Sequence, residues 1–552
     1  MKITEMKSIQ FPKATYDDWK VEAVNSLKGK SFDHLTTPTF EGIQLQPLYT
    51  EDHVNKTLNY SEIISSGIQD SKWMIAQPTF STTAQEFLHK TEDQLNRGNE
   101  MIVYMASSPA YKWTSEELNH LKELIKNHPF YFSIEDEKDS ILGVFSLLSN
   151  DELKEVSGYV NGRVSVPNMN TLVSTSPIHY AGGTAIHELT DALLTFAKIA
   201  EKNQDFSNSL AVQFSVDTNF FMEIAKLRAF RVLWKAFISA YGIQGTTIPL
   251  FVETSLRSYS KLDDTVNLLR AGNAAFSAVL GGADALIVYP HDILTGSSLT
   301  SERMARNIQL VIREETMVSK FIDPSSGSYY IESLTEDLVR ESWKLFIHIQ
   351  SMNEDSQENY LMDLIKEVSS NRHTAFATRK ASLIGTNIYA NPSDIVNPTI
   401  MKANIERLAI AFENFRDQFQ KNGLKSAVVS FGILKEVKPR ADFVQGFLQA
   451  GGLNPLMSPV FEKIEDAWHW VKKNDIAYVV IAAKDDLTKE IIPSLLEQKF
   501  QHIFMDVAGK YPEETLWKES GLNGSIYAGQ DLIAKMEQLV QLKKAGGHTD
   551  ET

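Results

Sequence analysis

Short apolar runs alternate with longer amphipathic segments between about residue 70 and residue 390. The short runs are continuous rather than alternating, which is typical of strands buried on both faces. The predicted strands are 101–105, 131–134, 142–147, 172–175, 210–215, 249–253 and 285–289. The predicted helices among them include 183–201, 220–240, 261–280 and 301–316.

Repeated strand–helix alternation indicates a parallel α/β architecture. Because so many units fall within one stretch of chain, they favour a (β/α)8 TIM barrel over an open sheet. A charged amphipathic stretch at 397–422 follows and predicts a helix that connects two domains.

The alternation restarts beyond this stretch. Strands are predicted at 426–431, 456–461, 478–483, 502–507 and 525–529, with a helix after each. Five such units in succession are typical of a flavodoxin-like doubly wound sheet. Residues 425–545 therefore predict a separate α/β domain.

These patterns divide the chain into four parts. Near the start, Trp19, Ala23 and Leu27 form one helical stripe that Gly29 ends, and the pattern leaves open whether this stripe packs on the chain's own barrel or contacts a partner chain. The predicted parts are an N-terminal extension or interface arm (1–50), the barrel (51–395), a helical linker (396–424) and the flavodoxin-like domain (425–545).

Composition narrows the class of function. The chain has 552 residues, 43% hydrophobic and 22% charged, so it can bury a large core and is not disordered as a whole. Its formal net charge of -16 disfavours nucleic acid as a partner. It has no cysteine, which excludes disulfides and thiolate chemistry. It also shows no signal peptide and no membrane-length apolar stretch, and a cytoplasmic protein is predicted.

Several long phrases stand in a characteristic order. They include NFFMEIAKLRAFRVLWKAF at 219–237 and LDDTVNLLRAGNAAFSAVLGGADALIVYPHD at 262–292, with further phrases at 19–50, 301–316 and 321–335. In length and order they resemble the methylmalonyl-CoA mutase family. The resemblance implies a barrel that holds acyl-CoA and a flavodoxin-like domain that holds cobalamin.

The chain departs from that family where cobalt is ligated. The family carries Asp-x-His-x-x-Gly after the first strand of the cobalamin domain. The His ligates the metal, and the Asp orients the His ring. Here residues 430–443 read SFGILKEVKPRADF and contain no histidine. Lys435 and Lys438 would repel a metal, and Pro439 lacks a backbone donor.

Two further departures concern the binding pockets. Where the family has small residues for the cofactor's nucleotide tail, the third strand of this domain runs into Lys484, Asp485 and Asp486. In the barrel, the family's Arg-Thr-His-x-Gln-Thr-Ser-Gly corresponds to PLFVETSL at 249–256, which places Phe251 at the His and Pro249 at the Arg. An Arg- and Tyr-rich CoA segment is replaced by WMIAQPTFSTTAQEF at 73–87.

In two-chain bacterial members of the family, the small subunit keeps both folds without these features, and this chain resembles that subunit. We therefore expect no catalytic, cofactor-binding or metal-ligating residue on it. The resemblance implies a heterodimer whose large catalytic subunit binds adenosylcobalamin and acyl-CoA and interconverts succinyl-CoA and methylmalonyl-CoA. Membranes are not expected as partners.

Two other functions stay open. One is a self-sufficient enzyme, either a mutase that uses cobalamin without a protein histidine or an unrelated barrel enzyme built on His179, Glu253 and His291. The other is a regulatory pseudoenzyme that binds mutase assemblies. His179 and His291 both follow predicted barrel strands, the end at which barrel enzymes place their functional groups.

Other motifs favour structural interpretations. His187-Glu188 opens a zinc-protease-like run, but Asp191 stands where a second histidine is needed, so a helix-surface histidine is expected. Gly281-Gly282 lacks the spacing of a phosphate loop and predicts a helix-to-strand turn. A solvated or salt-bridged helix face is expected for the charged residues Glu302, Arg303, Arg306, Arg313, Glu314 and Glu315.

Overall fold

Two parallel sheets organise the protein. The computed structural model describes residues 14–54, 60–105, 111–134, 138–162, 164–202, 210–243, 247–399 and 405–546. Within them, eight strands close into a barrel, five form a separate open sheet, and β1 (Thr37–Pro38) pairs with β2 (Gln44–Leu45) in a small antiparallel hairpin. The predicted combination of a (β/α)8 barrel and a second parallel sheet is confirmed.

The barrel strands follow one another around the ring in chain order, and the last pairs with the first. They are β3 (Met74–Pro78), β4 (Met101–Met105), β5 (Phe130–Ser133), β6 (Gly158–Asn161), β7 (Asn170–Ser174), β8 (Leu210–Val216), β9 (Leu250–Thr254) and β10 (Ala285–Ile287). Ala285 of β10 pairs with Met74 of β3 and with Phe251 of β9, which closes the ring.

Helices surround the barrel and cover its outer face. They are α1 (Tyr16–Ser26), α2 (Tyr60–Gly67), α3 (Ala84–Asn96), α4 (Ser115–Asn127), α5 (Gly143–Ser146), α6 (Asn150–Glu155), α7 (Ser176–Tyr180), α8 (Ala185–Lys202), α9 (Phe220–Ala240), α10 (Thr265–Leu280), α11 (Leu299–Glu315), α12 (Tyr329–Gln350) and α13 (Glu354–Ala377). No described helix is both long enough and apolar enough to cross a bilayer.

Helix α9 is the most deeply buried of these helices because α12 covers its outer side. Arg228 on α9 is fully buried and forms ion pairs with Asp323 and with Glu332 on α12. A buried guanidinium needs such partners, because its desolvation is otherwise uncompensated. The pair of helices therefore packs through ion pairs as well as apolar contacts.

Aromatic rings fill the interior of the barrel. Phe251 on β9 is fully buried and stacks on Tyr131 of β5, with ring centroids 4.8 Å apart and an interplanar angle of 9°. Tyr159 of β6 lies 5.0 Å from the same phenyl ring. Such contacts add about 0.5–1.5 kcal/mol each beyond the area that they bury. The lumen is therefore a packed core rather than a channel.

The second sheet has the order β12-β11-β13-β14-β15, with all strands parallel. Its strands are β11 (Ser426–Phe431), β12 (Leu456–Phe461), β13 (Tyr478–Ala482), β14 (Phe504–Ala508) and β15 (Gly524–Ile526), and its helices are α14 (Ile410–Asn422), α15 (Leu434–Ala450), α16 (Ile464–Lys473), α17 (Asp485–Glu497), α18 (Glu514–Glu519) and α19 (Leu532–Gly546).

Helices cover both faces of this sheet, as in doubly wound folds. One apolar core contains Phe412 of α14, Val444 of α15 and Met536 of α19. The other contains Trp468 of α16 and Leu495 of α17. Strands β11, β13, β14 and β15 are thus buried on both sides, which explains why their sequences read as continuous apolar runs, whereas the edge strand β12 is partly exposed.

The predicted strand at 142–147 is wrong. Residues Ser140–Leu142 form a 3-10 turn, which the Asp139 side chain caps, and α5 follows directly. A short apolar run has no period that separates a strand from a buried helical turn. Barrel strand β3 was not predicted, and neither was β6. Strand β6 begins at Gly158, whose φ of +133° and closeness to the backbone of Phe130 leave no room for a Cβ.

The predicted linker helix at 397–422 is shorter than expected. Residues 400–404 lie outside the described residues, 405–409 are not helical, and α14 begins at Ile410. The Arg407 guanidinium donates to the Tyr259 carbonyl and to both carboxylate oxygens of Glu413. Because Glu413 also accepts from the Lys261 backbone, the linker is attached firmly to the barrel.

The N-terminal helix α1 agrees with the sequence pattern. A capping box between Thr15 and Asp18 starts it, and Gly29, with a φ of +89°, follows its end. The stripe of Trp19, Ala23 and Leu27 is half-buried, and no residue of the helix is fully buried.

Candidate functional site

Hydroxyl groups surround one carboxyl group at the carboxyl ends of the barrel strands. Glu253 on β9 accepts hydrogen bonds at Oε1 from Ser215 on β8 (2.7 Å) and from Ser176 on α7 (2.9 Å). The Tyr289 hydroxyl donates to its Oε2 at 2.8 Å. Glu253 is 5% exposed. Barrel enzymes bind their ligands at this end, so the cluster occupies the functional position of the fold.

No cation balances this carboxyl group in the described part of the chain. Its hydrogen-bond partners are neutral, and no basic side chain lies within ion-pair distance. Burial raises the pKa of Glu253, and the hydroxyl donors oppose that rise. Neutral donors rather than a cation therefore satisfy the buried carboxyl group of Glu253.

A second buried chain of contacts starts at Ser255, two residues further on. The Ser255 hydroxyl lies 2.7 Å from Nε2 of His179, and Nδ1 of His179 lies 2.9 Å from Glu188. Burial, followed by nearby Arg257, lowers the pKa of His179 well below its ordinary value, so the ring is neutral. Since the Glu188 carboxylate can only accept, Nδ1 carries the proton and Nε2 accepts from Ser255.

Lys226 on α9 anchors this chain of contacts. It is fully buried and contacts Glu188 at 3.0 Å, Glu223 at 2.7 Å and the Ser215 carbonyl at 2.7 Å. Burial alone would lower the pKa of Lys226, but Glu188 and Glu223 outweigh burial and the pKa lies above its ordinary value. Lys226 therefore remains charged inside the protein.

Arg257 completes the polar layer. Its Nε donates to Asp217 at 2.9 Å, and its Nη1 donates to the His179 and Gly183 carbonyls. Burial alone would raise the pKa of Asp217, but Arg257 keeps the pKa well below its usual range. These partners satisfy the polar groups within the protein itself.

The arrangement of Ser255, His179 and Glu188 follows the order of a nucleophile, a base and an orienting acid. Ser255 is 3% exposed and His179 is 0% exposed, so neither side chain is accessible to a substrate. The adjacent cavity, lined by Tyr180, Arg257 and Arg372, has a volume of about 10 Å³. That is room for one water molecule at most. The contacts therefore stabilise the barrel and leave no space for nucleophilic chemistry.

The barrel residues that were singled out from the sequence lie at different heights along the barrel axis. Phe251 points into the packed lumen, where it has no hydrogen-bonding group to offer. Pro249 lies at the opposite, amino-terminal mouth and lines an open cavity of about 680 Å³ with Tyr159, Asp284 and Arg313. Of His179, Glu253 and His291, the first two lie in the polar layer at the carboxyl ends of the strands.

His291 stands apart from this layer. It is half-buried after β10, its backbone carbonyl accepts from Asn267, and its Nδ1 is buried without a hydrogen-bond partner in the structure. Gly281 and Gly282 form the predicted helix-to-strand turn, and Gly282 has a φ of +84°. The solvated face expected on α11 is wrong for Glu302 and Arg306, because both are buried and Arg306 donates to Gln77 on β3.

His187 was expected on a helix surface, and this expectation is wrong. Its side chain is 7% exposed, and its Nδ1 lies 3.3 Å from the Thr184 amide at the start of α8. Burial lowers the pKa of His187 to about 4. Among the described residues, no three His, Asp or Glu side chains converge as metal ligands.

Asp191, one turn beyond His187, gives a testable pH dependence. Burial raises the pKa of this carboxyl group to about 7. The folded state thus binds a proton that the unfolded state releases near pH 4, and stability falls as pH rises from about 4 to 7. Asp191→Asn is expected to raise the free energy of unfolding at pH 8 by about 1–3 kcal/mol, with no gain at pH 4. Urea unfolding at both pH values measures this, and equal effects at both would contradict it.

The loop after β11 in the second sheet is short. Helix α15 begins at Leu434, only a few residues after the strand ends, and Ile433 and Leu434 are exposed. The histidines of this domain lie elsewhere. His469 is exposed on α16, and His502 is exposed before β14, on the side of the sheet where the strands begin.

Arg440 on α15 bridges the carboxyl ends of the strands. Its Nη2 lies 2.7 Å from Asp485 at the start of α17, and its Nη1 donates to the Ala483 carbonyl and to the Tyr511 hydroxyl. The hydrogen bond from Arg440 Nη2 lowers the pKa of Asp485. The Tyr511 ring also covers Gly509, where a Cβ would come within 3.0 Å of the ring. Side chains of the chain itself therefore occupy the crevice in which open α/β sheets bind ligands.

Sequence reasoning missed most partners in the barrel layer. Ser176, Ser215, Tyr289 and Lys226 were not named, although Ser215 and Gln213 are polar residues two positions apart in an otherwise apolar strand. Polar residues at inward positions near strand ends were the available signal.

Comparisons with known proteins agree on one family. The model of the family described as methylmalonyl-CoA mutase matches residues 120–428. The methylmalonyl-CoA mutase small subunit of Porphyromonas gingivalis is 26% identical over 572 residues, which cover 88% of this chain and 90% of that protein. The large subunit of the same organism is 28% identical over 330 residues, covering 54% of this chain and 44% of that protein.

A probable methylmalonyl-CoA mutase small subunit of Mycobacterium bovis is 29% identical over 306 residues. That alignment covers 50% of this chain and 49% of the relative. The similarity therefore extends over nearly the whole length of one small subunit and over about half of another.

Proposed function

The chain belongs to the methylmalonyl-CoA mutase family, and from that membership we propose that it is the non-catalytic small subunit of a heterodimeric, adenosylcobalamin-dependent methylmalonyl-CoA mutase. Family membership places it among isomerases. In this proposal, the large subunit holds the cofactor and the acyl-CoA and isomerises succinyl-CoA to methylmalonyl-CoA. This chain contributes a folded partner surface, and the complex is located in the cytoplasm.

The observation that carries the proposal is the absence of a cobalt-ligating histidine at the carboxyl end of the second sheet, where such folds bind their ligands. The strand order β12-β11-β13-β14-β15 is the flavodoxin-like order, so residues 425–545 are proposed to be a degenerate cobalamin-type domain. The family's cobalt ligand is a histidine after the first strand of this domain, and residues 430–443 contain no histidine. The residues present therefore do not fit the cofactor.

The crevice adds a steric argument to this chemical one. The pair of Arg440 and Asp485 crosses the strand ends, and the Tyr511 ring lies over Gly509. A nucleotide tail inserted there would have to displace a hydrogen-bonded guanidinium and a packed ring, and their polar groups would lose their partners. The loss of the ligand and the filling of the crevice support the same conclusion independently.

The barrel supports the proposal in the same way. Phe251 and Tyr131 stack in the lumen, and Glu253 occupies the hydroxyl cluster at the carboxyl ends of the strands. The protein's own side chains fill the position at which a substrate would lie. We propose that the division into an arm (1–50), a barrel (51–395), a linker (396–424) and a degenerate domain (425–545) follows that of the catalytic chain.

The partner in this proposal is a large catalytic subunit. The small- and large-subunit relatives occur together in one organism, which supports such a pairing. The half-buried stripe of Trp19, Ala23 and Leu27 on α1, with Val21 58% exposed beside it, supports a role of residues 1–50 in the contact. An obligate contact of this kind buries about 2,000 Å² or more.

Spectral titration tests the cofactor assignment. The purified full chain is mixed with hydroxocobalamin and with adenosylcobalamin, and the visible spectrum and the retained corrinoid after gel filtration are measured. No retention is expected, because no imidazole is available to displace the lower ligand. The separately expressed large subunit serves as the positive control. Stoichiometric retention by this chain would favour a self-sufficient mutase instead.

Co-expression with a longer homologue that carries an intact Asp-x-His-x-x-Gly motif tests the subunit assignment. A 1:1 complex that turns over succinyl-CoA is expected, and the isolated chain with added cofactor is expected to show no turnover. Substoichiometric co-purification with an already active homologue would indicate a regulatory protein. Turnover by the isolated chain at the rate of the complex would overturn the proposal.

A further inference from the structure

The donors around Glu253 come from separate parts of the barrel rather than from its own strand. Ser176 follows β7, Ser215 lies on β8, and Tyr289 follows β10, and all three donate to the two oxygens of one carboxyl group. The two serine hydroxyls also lie 2.9 Å from each other. Several converging neutral donors at the carboxyl end of a barrel are the usual form of a polar ligand site.

The same atoms would serve a carboxyl group from solution equally well. A carboxylate offers two acceptor oxygens, and here one oxygen receives two hydrogen bonds and the other receives one. No described basic side chain within ion-pair distance contributes, so the site depends on neutral donors, which are the three hydroxyls and the nearby Gln213 side chain. A site of this kind is formed by the scaffold, and the glutamate side chain is the group that fills it.

We propose that this hydroxyl cluster is a carboxyl-binding site of the barrel and that Glu253 occupies it as an internal ligand. A small monocarboxylic acid, such as acetate or formate, takes the site once the Glu253 side chain is removed. The self-occupied site closes the barrel at the end where a free ligand would enter. This inference concerns the isolated chain and holds whether or not the chain is a mutase subunit.

The titratable neighbours of Glu253 are consistent with this assignment. Nearby titratable groups include the phenols of Tyr131, Tyr180 and Tyr289; burial raises the pKa of each phenol, and the Glu253 charge adds to that rise. A phenol with a raised pKa stays protonated at neutral pH and remains a donor. The site therefore keeps its donors when the glutamate is replaced.

Glu253→Ala in the full chain tests the proposal by thermal unfolding. The variant is expected to unfold several degrees lower than the wild type, because three hydroxyls lose their acceptor. Sodium acetate is expected to raise its unfolding temperature saturably, since a ligand that binds only the folded state stabilises it. At the same ionic strength, sodium chloride should have no such effect. The wild type should not respond to acetate, because its site is filled.

Phe251→Ala is the matched control. It also empties a volume in the barrel, two residues earlier on β9, but the space is lined by the aromatic rings of Tyr131 and Tyr159. It should be destabilised and unresponsive to acetate. Adding Ser176→Ala and Ser215→Ala to Glu253→Ala should abolish the response, because two of the three donors are then absent.

Glu253→Thr is the second variant if the alanine variant does not fold. Threonine is a β-branched residue that suits a strand and offers one hydroxyl partner, and formate replaces acetate as the probe because the remaining space is smaller. A response equal to that of the wild type, or an equal response to chloride, in folded variants would overturn the proposal. Glu253 would then be an ordinary buried polar residue.

Discussion

Lys226→Met is expected to lower the free energy of unfolding of the barrel by roughly 3–5 kcal/mol. Lys226 is the cation between Glu188 and Glu223, and all three side chains are buried. Methionine fills a similar volume but leaves two carboxylates without a counter-ion. The Ser215 carbonyl also loses its charged donor.

Urea unfolding followed by fluorescence and circular dichroism measures this effect. Lys235→Met is the matched control, because Lys235 is exposed on the same helix, and its effect should stay within about 0.5 kcal/mol. Adding Glu188→Gln and Glu223→Gln to Lys226→Met should recover part of the loss, since the uncompensated charges are then removed. A Lys226→Met variant as stable as the Lys235→Met variant would contradict the assignment of Lys226 as the anchor of the polar layer.

Lys535→Met is expected to destabilise the second sheet by roughly 3–5 kcal/mol. Asp506 lies in the middle of β14 and is completely buried, and it pairs with Lys535, which α19 places at 3% exposure. The Tyr478 hydroxyl donates to the same carboxylate at 2.6 Å. Without the ammonium group, Asp506 keeps one neutral donor and no counter-ion, and its Oδ1 already has no hydrogen-bond partner in the structure.

The pair Lys438–Asp442 supplies the control. It lies on the surface of α15 in the same domain, with side chains 63% and 49% exposed, and such i,i+4 pairs contribute about 0.3–0.5 kcal/mol. Lys438→Met should therefore leave the unfolding transition nearly unchanged. If Lys535→Met had the same small effect, the buried pair would not hold α19 to the sheet. A double variant with Asp506→Asn should be more stable than Lys535→Met alone.

Most strands of both sheets could be predicted from the sequence, because a strand buried on both faces is a continuous apolar run. Strands β4, β11 and β12 match the predicted bounds, and helix α9 does so as well. Strand β3 was missed as well, and the two other failures have a common cause. The run at 142–147 is apolar but helical, and β6 is short and begins with a glycine. In both places the local pattern carries too few residues to establish a period.

The candidate site was only partly predictable. His179 and Glu253 could be named because they lie at or just beyond the ends of predicted strands. Their partners could not be named, because Ser176, Ser215 and Tyr289 are separated along the chain and meet only when the strands pair in register. Burial of His187 was missed because the helix pattern does not show which face another element covers.

Sequence alone determined most of the segments that become strands and helices, the order in which they follow, and that no histidine follows the first strand of the second sheet. These are properties of the local sequence or of its composition, and they do not depend on which residues meet in the fold. Only the tertiary structure decided that Phe251 stacks in the lumen, that Glu253 meets three hydroxyls and that Arg440 reaches Asp485. Those contacts depend on strand register, ring closure and helix packing, which join residues far apart in the chain and leave no periodic signal along it.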